Sequence, residues 1–198
     1  METSEVTKDI PDNSIDFTDP QYAKDSIPLL KDLAVLASRV LKPSGSLAII
    51  YGQNHIPEFF DAILSSSSST PTLSYYWTIA LHMPESQDVF FEKNIHICWE
   101  SIYLYSRKNL CLKVERIFKD HISESKPDKS LHERKQDIGS AIHVIKSFSN
   151  ENDLVLDPLA GTGTTIEASL ILNRRIIAVE KDKEVYDLLL RRFAGMVT

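Results

Sequence analysis

A chain of 198 residues, 42% of them apolar, is long enough to bury one sizeable core and too short for a string of modules, so a single domain over 1–198 is expected. The formal net charge of −6 argues against a protein that grips nucleic acid by electrostatics alone. Cys98 and Cys111 fit no metal spacing, nothing at the N-terminus reads as a secretory signal, and the longest apolar runs, such as 46–51, are only strand-sized. A soluble protein of a reducing, intracellular compartment is expected, without metal or membrane.

In chain order, Ser14–Thr18 reads as a short strand broken by Asp19-Pro20, and Pro28–Leu41 places apolar residues at helical spacing. Lys42-Pro43-Ser44-Gly45 has turn chemistry and leads into Ser46–Gly52, an apolar run typical of a strand buried on both faces. Ile56–Leu64 reads as a helix, and Ser65–Ser69 with Thr70-Pro71 as a loop, either a surface connection or a lid. Tyr75–His82 and Ile95–Tyr105 are β-rich and flank the polar Pro84–Asn94, which predicts an antiparallel pair. The stretch Arg107–Lys135 is the one locally basic part of the chain, either a solvated surface or a phosphate-facing edge. Alternation then resumes: helix Ile138–Phe148, strand Leu154–Leu156, a glycine turn, helix Thr165–Leu172, strand Ile176–Val179, helix Lys183–Phe193. The fold class is α/β, a mostly parallel sheet with an antiparallel pair at one edge and helices on both faces.

The glycine turn carries the first functional signal. A strand ending at Asp157, then Pro158, Leu159, Ala160, Gly161, Thr162, Gly163, Thr164 and Thr165, puts backbone N–H groups and a helix start at the carboxyl end of a central strand. Glu180 ends the next strand, where an acidic residue meets ribose hydroxyls. A nucleoside triphosphate loop needs Lys where Thr164 stands, and a dinucleotide loop wants a third glycine at Ile166. S-adenosylmethionine remains, with Asp157, Leu159, Ala160, Gly161, Thr162, Gly163, Thr164, Thr165 and Glu180 as candidate binding residues.

The second signal is Asp19-Pro20-Gln21-Tyr22, also after a strand. An exocyclic amino group is a poor nucleophile because its lone pair is delocalised, so transfer to it needs acceptors that favour a pyramidal nitrogen and an aromatic face against which an extruded base can lie. Asp19 and the Pro20 carbonyl are candidate acceptors, and Tyr22 the stacking ring.

Asp157–Thr165 resembles the cofactor motif Asp-Pro-Phe-x-Gly-x-Gly-Thr-Thr of the N6-adenine and N4-cytosine DNA methyltransferases, with Leu159 in place of Phe, and Asp19–Tyr22 resembles their Asp-Pro-Pro-Tyr, with Gln21 in place of the second Pro. The stretch from His132 to Leu156 is similar to the helix and strand that precede the family's cofactor motif, Gln136-Asp137 standing where Lys-Pro is commoner. The catalytic motif precedes the cofactor motif, the circularly permuted order of the β-type enzymes. The resemblance implies a Rossmann-like methyltransferase fold, transfer from S-adenosylmethionine to a flipped base in DNA, adenine N6 favoured over cytosine N4, and a cytoplasmic protein of prokaryotic or viral origin, as in restriction-modification. It implies a catalytic loop near 19–22, a reduced recognition region at about 84–135 and a cofactor half at 136–198. It also implies a strand beyond Ile176–Val179 that neither end of the chain supplies, so an open edge covered by a second copy or a complementing, specificity-giving subunit is expected. Two other readings stay open, an inactive cofactor-binding subunit and an RNA methyltransferase.

Overall fold

The computed structural model describes residues 7–18, 27–65, 73–84, 86, 89–107, 117–123 and 138–196. Its strands and helices are β1 (Ile15–Thr18), α1 (Ile27–Val40), β2 (Leu41–Tyr51), α2 (Ile56–Ser65), β3 (Leu73–His82), β4 (Val89–Phe90), β5 (Ile95–His96), β6 (Trp99–Arg107), β7 (His121–Ser123), α3 (Ile138–Phe148), β8 (Leu154–Asp157), α4 (Thr164–Ile171), β9 (Arg175–Ala178) and α5 (Lys183–Arg192). Among the described residues, no helix is long and apolar enough to cross a membrane.

Seven strands form one sheet in the order β7-β3-β6-β2-β1-β8-β9, and β4 pairs with β5 apart from it. β1, β2, β8 and β9 are mutually parallel, β6 runs against both β2 and β3, and β7 is parallel to β3. Six strands therefore point one way and β6 alone is reversed. The antiparallel pairing of β3 with β6 is as the sequence predicts, with the short β7 added outside it. The central strand β2 is buried on both faces from Ser46 to Tyr51 and is an almost continuous apolar run there, whereas β3 and β9 are partly exposed. Leu47, Ile49 and Tyr51 of β2 face a core built with α1 and α2, while Ala48 and Ile50 face one built with α3 and α4.

Helix α1 shows how sequence period becomes packing. Leu30, Leu33, Ala34, Ala37 and Val40 recur at three- and four-residue intervals and are buried on one face. Its last turn is tied to the segment before β1, because Arg39 donates to the carbonyls of Thr7 (2.8 Å) and Ile10 (2.7 Å) and to Asp12 (2.8 Å).

Two predicted boundaries move. Lys42–Gly45 does not separate helix from strand; it lies inside β2 as an excursion, since Leu41 and Ser46 stand opposite Ile15 and Phe17 of β1. The apolar run predicted as one strand over Ile95–Tyr105 is broken at Ile97-Cys98, its first part pairing with β4 and its second entering the main sheet.

The register of β1 is pinned by a charge. The Asp16 carboxylate accepts Lys42 Nζ from β2 (2.7 and 2.8 Å) and the Leu154 N–H from β8 (3.0 Å), linking three adjacent strands. Asp16→Ala is expected to lower stability by about 2 kcal/mol, the range for a charge-assisted bond. Lys42→Ala should cost less than half as much, because the lysine is partly solvated. Denaturant midpoints of the two variants test this.

Candidate functional site

Right-handed crossovers that leave one sheet in opposite directions must lie on opposite faces, and a crevice opens where the direction changes. Here β1–α1–β2 runs one way and β8–α4–β9 the other, so the change falls between β1 and β8. Thr18, the last residue of β1, is level with Leu156, and Asp157 follows. The chain thus enters Asp19–Tyr22 from the strand next to the glycine turn. Asp19, Pro20, Gln21 and Tyr22 themselves lie outside the described residues.

The turn between β8 and α4 is held on every side. Val179 N–H donates to the Asp157 carbonyl (2.8 Å) and Ala160 N–H to the Val179 carbonyl (2.9 Å), which extends the β8–β9 ladder past the strand ends. Gly161 N–H donates to Glu180 Oε2 (2.8 Å), and Asp182 N–H to Glu180 Oε1 (2.8 Å). Glu180 therefore spans from the turn to the start of α5, which Asp182 caps by accepting the N–H groups of Glu184 and Val185. Leu159, Gly161, Thr162 and Glu180 are partly exposed, whereas Asp157, Ala160, Gly163, Thr164 and Thr165 are buried.

The two glycines do different work. Both have positive φ, +51° at Gly161 and +88° at Gly163. A Cβ on Gly161 would meet only the Leu159 carbonyl at 3.9 Å, so that side of the turn is open. A Cβ on Gly163 would stand 2.7 Å from Leu189 and 2.7 Å from Phe193, so this glycine lets α5 pack against the turn. Gly163 precedes α4 and makes no side-chain cap to its first turn.

Asp157 is 1% exposed. Burial pushes its carboxyl up from the ordinary 3.8 to about 7; the Leu159 N–H, at 3.0 Å, pulls it back, and the neighbouring Glu180 carboxylate adds to the rise.

The model for the DNA methylase family matches residues 8–191. The chain belongs to that family. Type II methyltransferase M2.MboI of Moraxella bovis is 36% identical over 62 residues, 31% of this chain and 23% of that protein. The chain spans only about a fifth of the length of the curated relatives it matches, 20–23%. Among solved structures, the M1.HpyAVI–SAM complex superposes with a TM-score of 0.77 at 20% identity, covering 98% of this chain and 97% of that one. The PvuII DNA methyltransferase (cytosine-N4-specific) superposes at 0.74 with 16% identity, covering 100% and 86%. The described residues thus share the fold of these methyltransferase structures.

Other residues of this methylase turn were not legible in sequence. Arg192, in the last turn of α5, donates to the Thr162 carbonyl (2.6 Å) and pairs with Glu167 of α4, clamping the turn from behind. In sequence Arg191-Arg192 is an ordinary basic helix end. Of the basic stretch, Arg107 binds the Leu41 carbonyl (2.8 Å) and Asn13 at the opposite end of the sheet, so it does not face the site. Tyr75 and Trp77 begin β3, also at that far end, and Trp77 Nε1 donates to Asp120 (3.2 Å). Residues 108–116 and 124–137 lie outside the description.

Gly163→Ala is expected to cost about 2 kcal/mol or more, combining left-handed strain with overpacking, and Gly161→Ala only about 1 kcal/mol. Denaturation of the two variants separates these costs. For Asp157 the folded chain keeps a proton that the unfolded chain has released between pH 4 and 7, so its contribution favours the fold at acid pH and is lost as pH rises to about 7. Asp157→Asn should therefore gain thermal stability relative to the parent as pH is raised from 5 to 8, checked by paired melting curves.

Proposed function

We propose that the chain transfers a methyl group from S-adenosylmethionine to the exocyclic amino group of a base in DNA, adenine N6 before cytosine N4. The observation that carries this reading is the adjacency of β1 and β8, which starts the Asp19–Tyr22 segment beside the Asp157–Thr165 turn at one sheet edge. Family membership and the fold shared with the M1.HpyAVI–SAM complex support it.

The residues present fit the cofactor. Glu180 is fixed by two backbone N–H groups and keeps lone pairs to accept ribose hydroxyls. Gly161 leaves space against the backbone, and the uncapped start of α4 offers N–H donors to a carboxylate. Leu159 and Thr162 are placed on the exposed side, while Asp157, Ala160, Gly163, Thr164 and Thr165 shape the turn from within. S-adenosylmethionine supplies an electrophilic methyl group on sulfonium sulfur. Asp19 and the Pro20 carbonyl accept from the amino group and raise its nucleophilicity, and Tyr22 stacks on the extruded base.

Two partner proposals follow. β9 pairs only with β8 among the described residues, so its free edge is the place for a second copy or a complementing subunit. Intracellular action on DNA accords with the bacterial origin of relatives such as M2.MboI. The open edge, with Gln21 in the catalytic segment, also supports the second reading, an inactive cofactor-binding subunit.

Incubation with labelled cofactor and either unmethylated genomic DNA or total RNA, followed by base identification, tests the reading. Labelled N6-methyladenine or N4-methylcytosine in DNA is expected, and label in RNA alone would overturn the DNA assignment. Asp19→Ala should reduce transfer at least 100-fold with cofactor affinity unchanged, and Glu180→Gln should weaken cofactor binding several-fold. Any methylation by the parent chain excludes the inactive-subunit reading.

A further inference from the structure

The segment between β3 and β6 has no part in the site above, yet it stands on the same sheet edge. β3 delivers the chain to that edge at His82, and β6 takes it back from Trp99. Between them β4 and β5 form a two-stranded ribbon, Val89 opposite His96 and Phe90 opposite Ile95. A tight turn at Phe91–Lys93 closes it, with Asn94 in the left-handed region donating its N–H to the Phe91 carbonyl. The ribbon is braced at three places. Lys93 Nζ lies 5.3 Å from the centre of the Phe90 ring, His96 Nε2 is 2.7 Å from the Ser86 carbonyl oxygen, and Met83 N–H donates to the Cys98 carbonyl at 2.8 Å.

At the tip Phe91 is 81% exposed, the most exposed aromatic side chain among the described residues, and Val89 and Ile95 of the ribbon and Trp99 at the start of β6 are exposed as well. A braced ribbon that holds apolar groups in water marks a contact surface. Charge narrows the occupant: Glu85, Asp88 and Glu92 outnumber Lys93, so phosphate attraction is not what the ribbon offers. It offers a flat apolar ring on a thin support, the shape of side chains that part stacked bases.

Placement decides between nucleic acid and protein. At a strand spacing of about 4.8 Å, β6 and β3 stand roughly 10 and 15 Å from β1, a span of only a few base steps, which puts the ribbon within reach of a duplex presented to the segment after Thr18. We infer that Phe91 is a wedge that enters the base stack of duplex DNA lying along this edge and eases extrusion of the target nucleotide. The inference rests on the DNA reading proposed above and adds to it a residue outside the cofactor and acceptor loops.

Opening the stack matters only where a stack exists, so the test compares two forms of one DNA. Wild type, Phe91→Ala and Phe91→Trp are assayed with labelled S-adenosylmethionine on unmethylated plasmid DNA, native and heat-denatured, with light scattering of each protein. Phe91→Ala is expected to lose tenfold or more on the native duplex and less than twofold on denatured DNA, and Phe91→Trp to keep most of the duplex activity. Equal loss on both forms, or no loss on either, overturns the wedge while leaving the DNA reading intact. A changed oligomeric state in Phe91→Ala overturns it in favour of a protein contact. A wild-type chain that binds the cofactor but methylates neither form overturns the DNA reading, and the wedge with it.

Discussion

The parallel pairing of β1 with β8 joins Asp16 to Leu154 across 138 positions of sequence, and the carboxyl edge of the sheet is assembled around it. Side chains alternate faces along a strand, so a one-residue slip would turn Phe17 out of one core and drive Asp16 into an apolar layer. The Asp16 carboxylate, bound to Lys42 and the Leu154 N–H, makes that slip costly. With the register fixed, Thr18 and Leu156 come level and the chain leaves both strands at adjacent points. Permuted motif order is no obstacle, because the strands meet through space whichever comes first in the chain.

Much of this was legible in sequence because the signals were local or periodic. α3 ends where the apolar spacing of 138–148 ends it, and α4 follows Gly163 as the glycine turn requires. What was not legible depended on partners distant in sequence. Lys42-Pro43-Ser44-Gly45 carries turn chemistry in any context, and only the opposing β1 makes it an excursion within a strand. The run at 95–105 is uniformly β-prone, so the division between Ile95–His96 and Trp99–Arg107 follows from which strand each part meets. β7 is three residues long inside a polar stretch, and its pairing to Ala80–His82 is its only strand-like property.

The candidate site was legible in its parts and not in its support. Gly161 and Gly163 read alike in sequence, yet one faces open space and the other the side chains of α5. That contact makes the last helix part of the turn: Leu189 and Phe193 fill the room a side chain at 163 would take, and Arg192 holds the Thr162 carbonyl. Glu180 completes the same frame, since one carboxylate binds both Gly161 and the residue that caps α5. The turn is thus set before any ligand arrives, which lowers the ordering cost of binding.

The distribution of cations bears on the DNA substrate proposed for this edge. Arg39 bonds Asp12, Lys42 bonds Asp16, Arg107 bonds the Leu41 carbonyl and Arg192 bonds the Thr162 carbonyl, so much of the described basic charge is engaged within the fold. Arg107, at the end of the reversed strand β6, lies at the amino-terminal edge, away from the glycine turn. The sequence between Ser123 and Ile138 carries Lys126, Lys129, Arg134 and Lys135 against Glu124, Asp128, Glu133 and Asp137, a balanced set. Long-range attraction to a polyanion is therefore weak at net charge −6. Under the proposed function, stacking by the exposed Phe91 and capture of an extruded base beside β1 and β8 would take the place of that attraction.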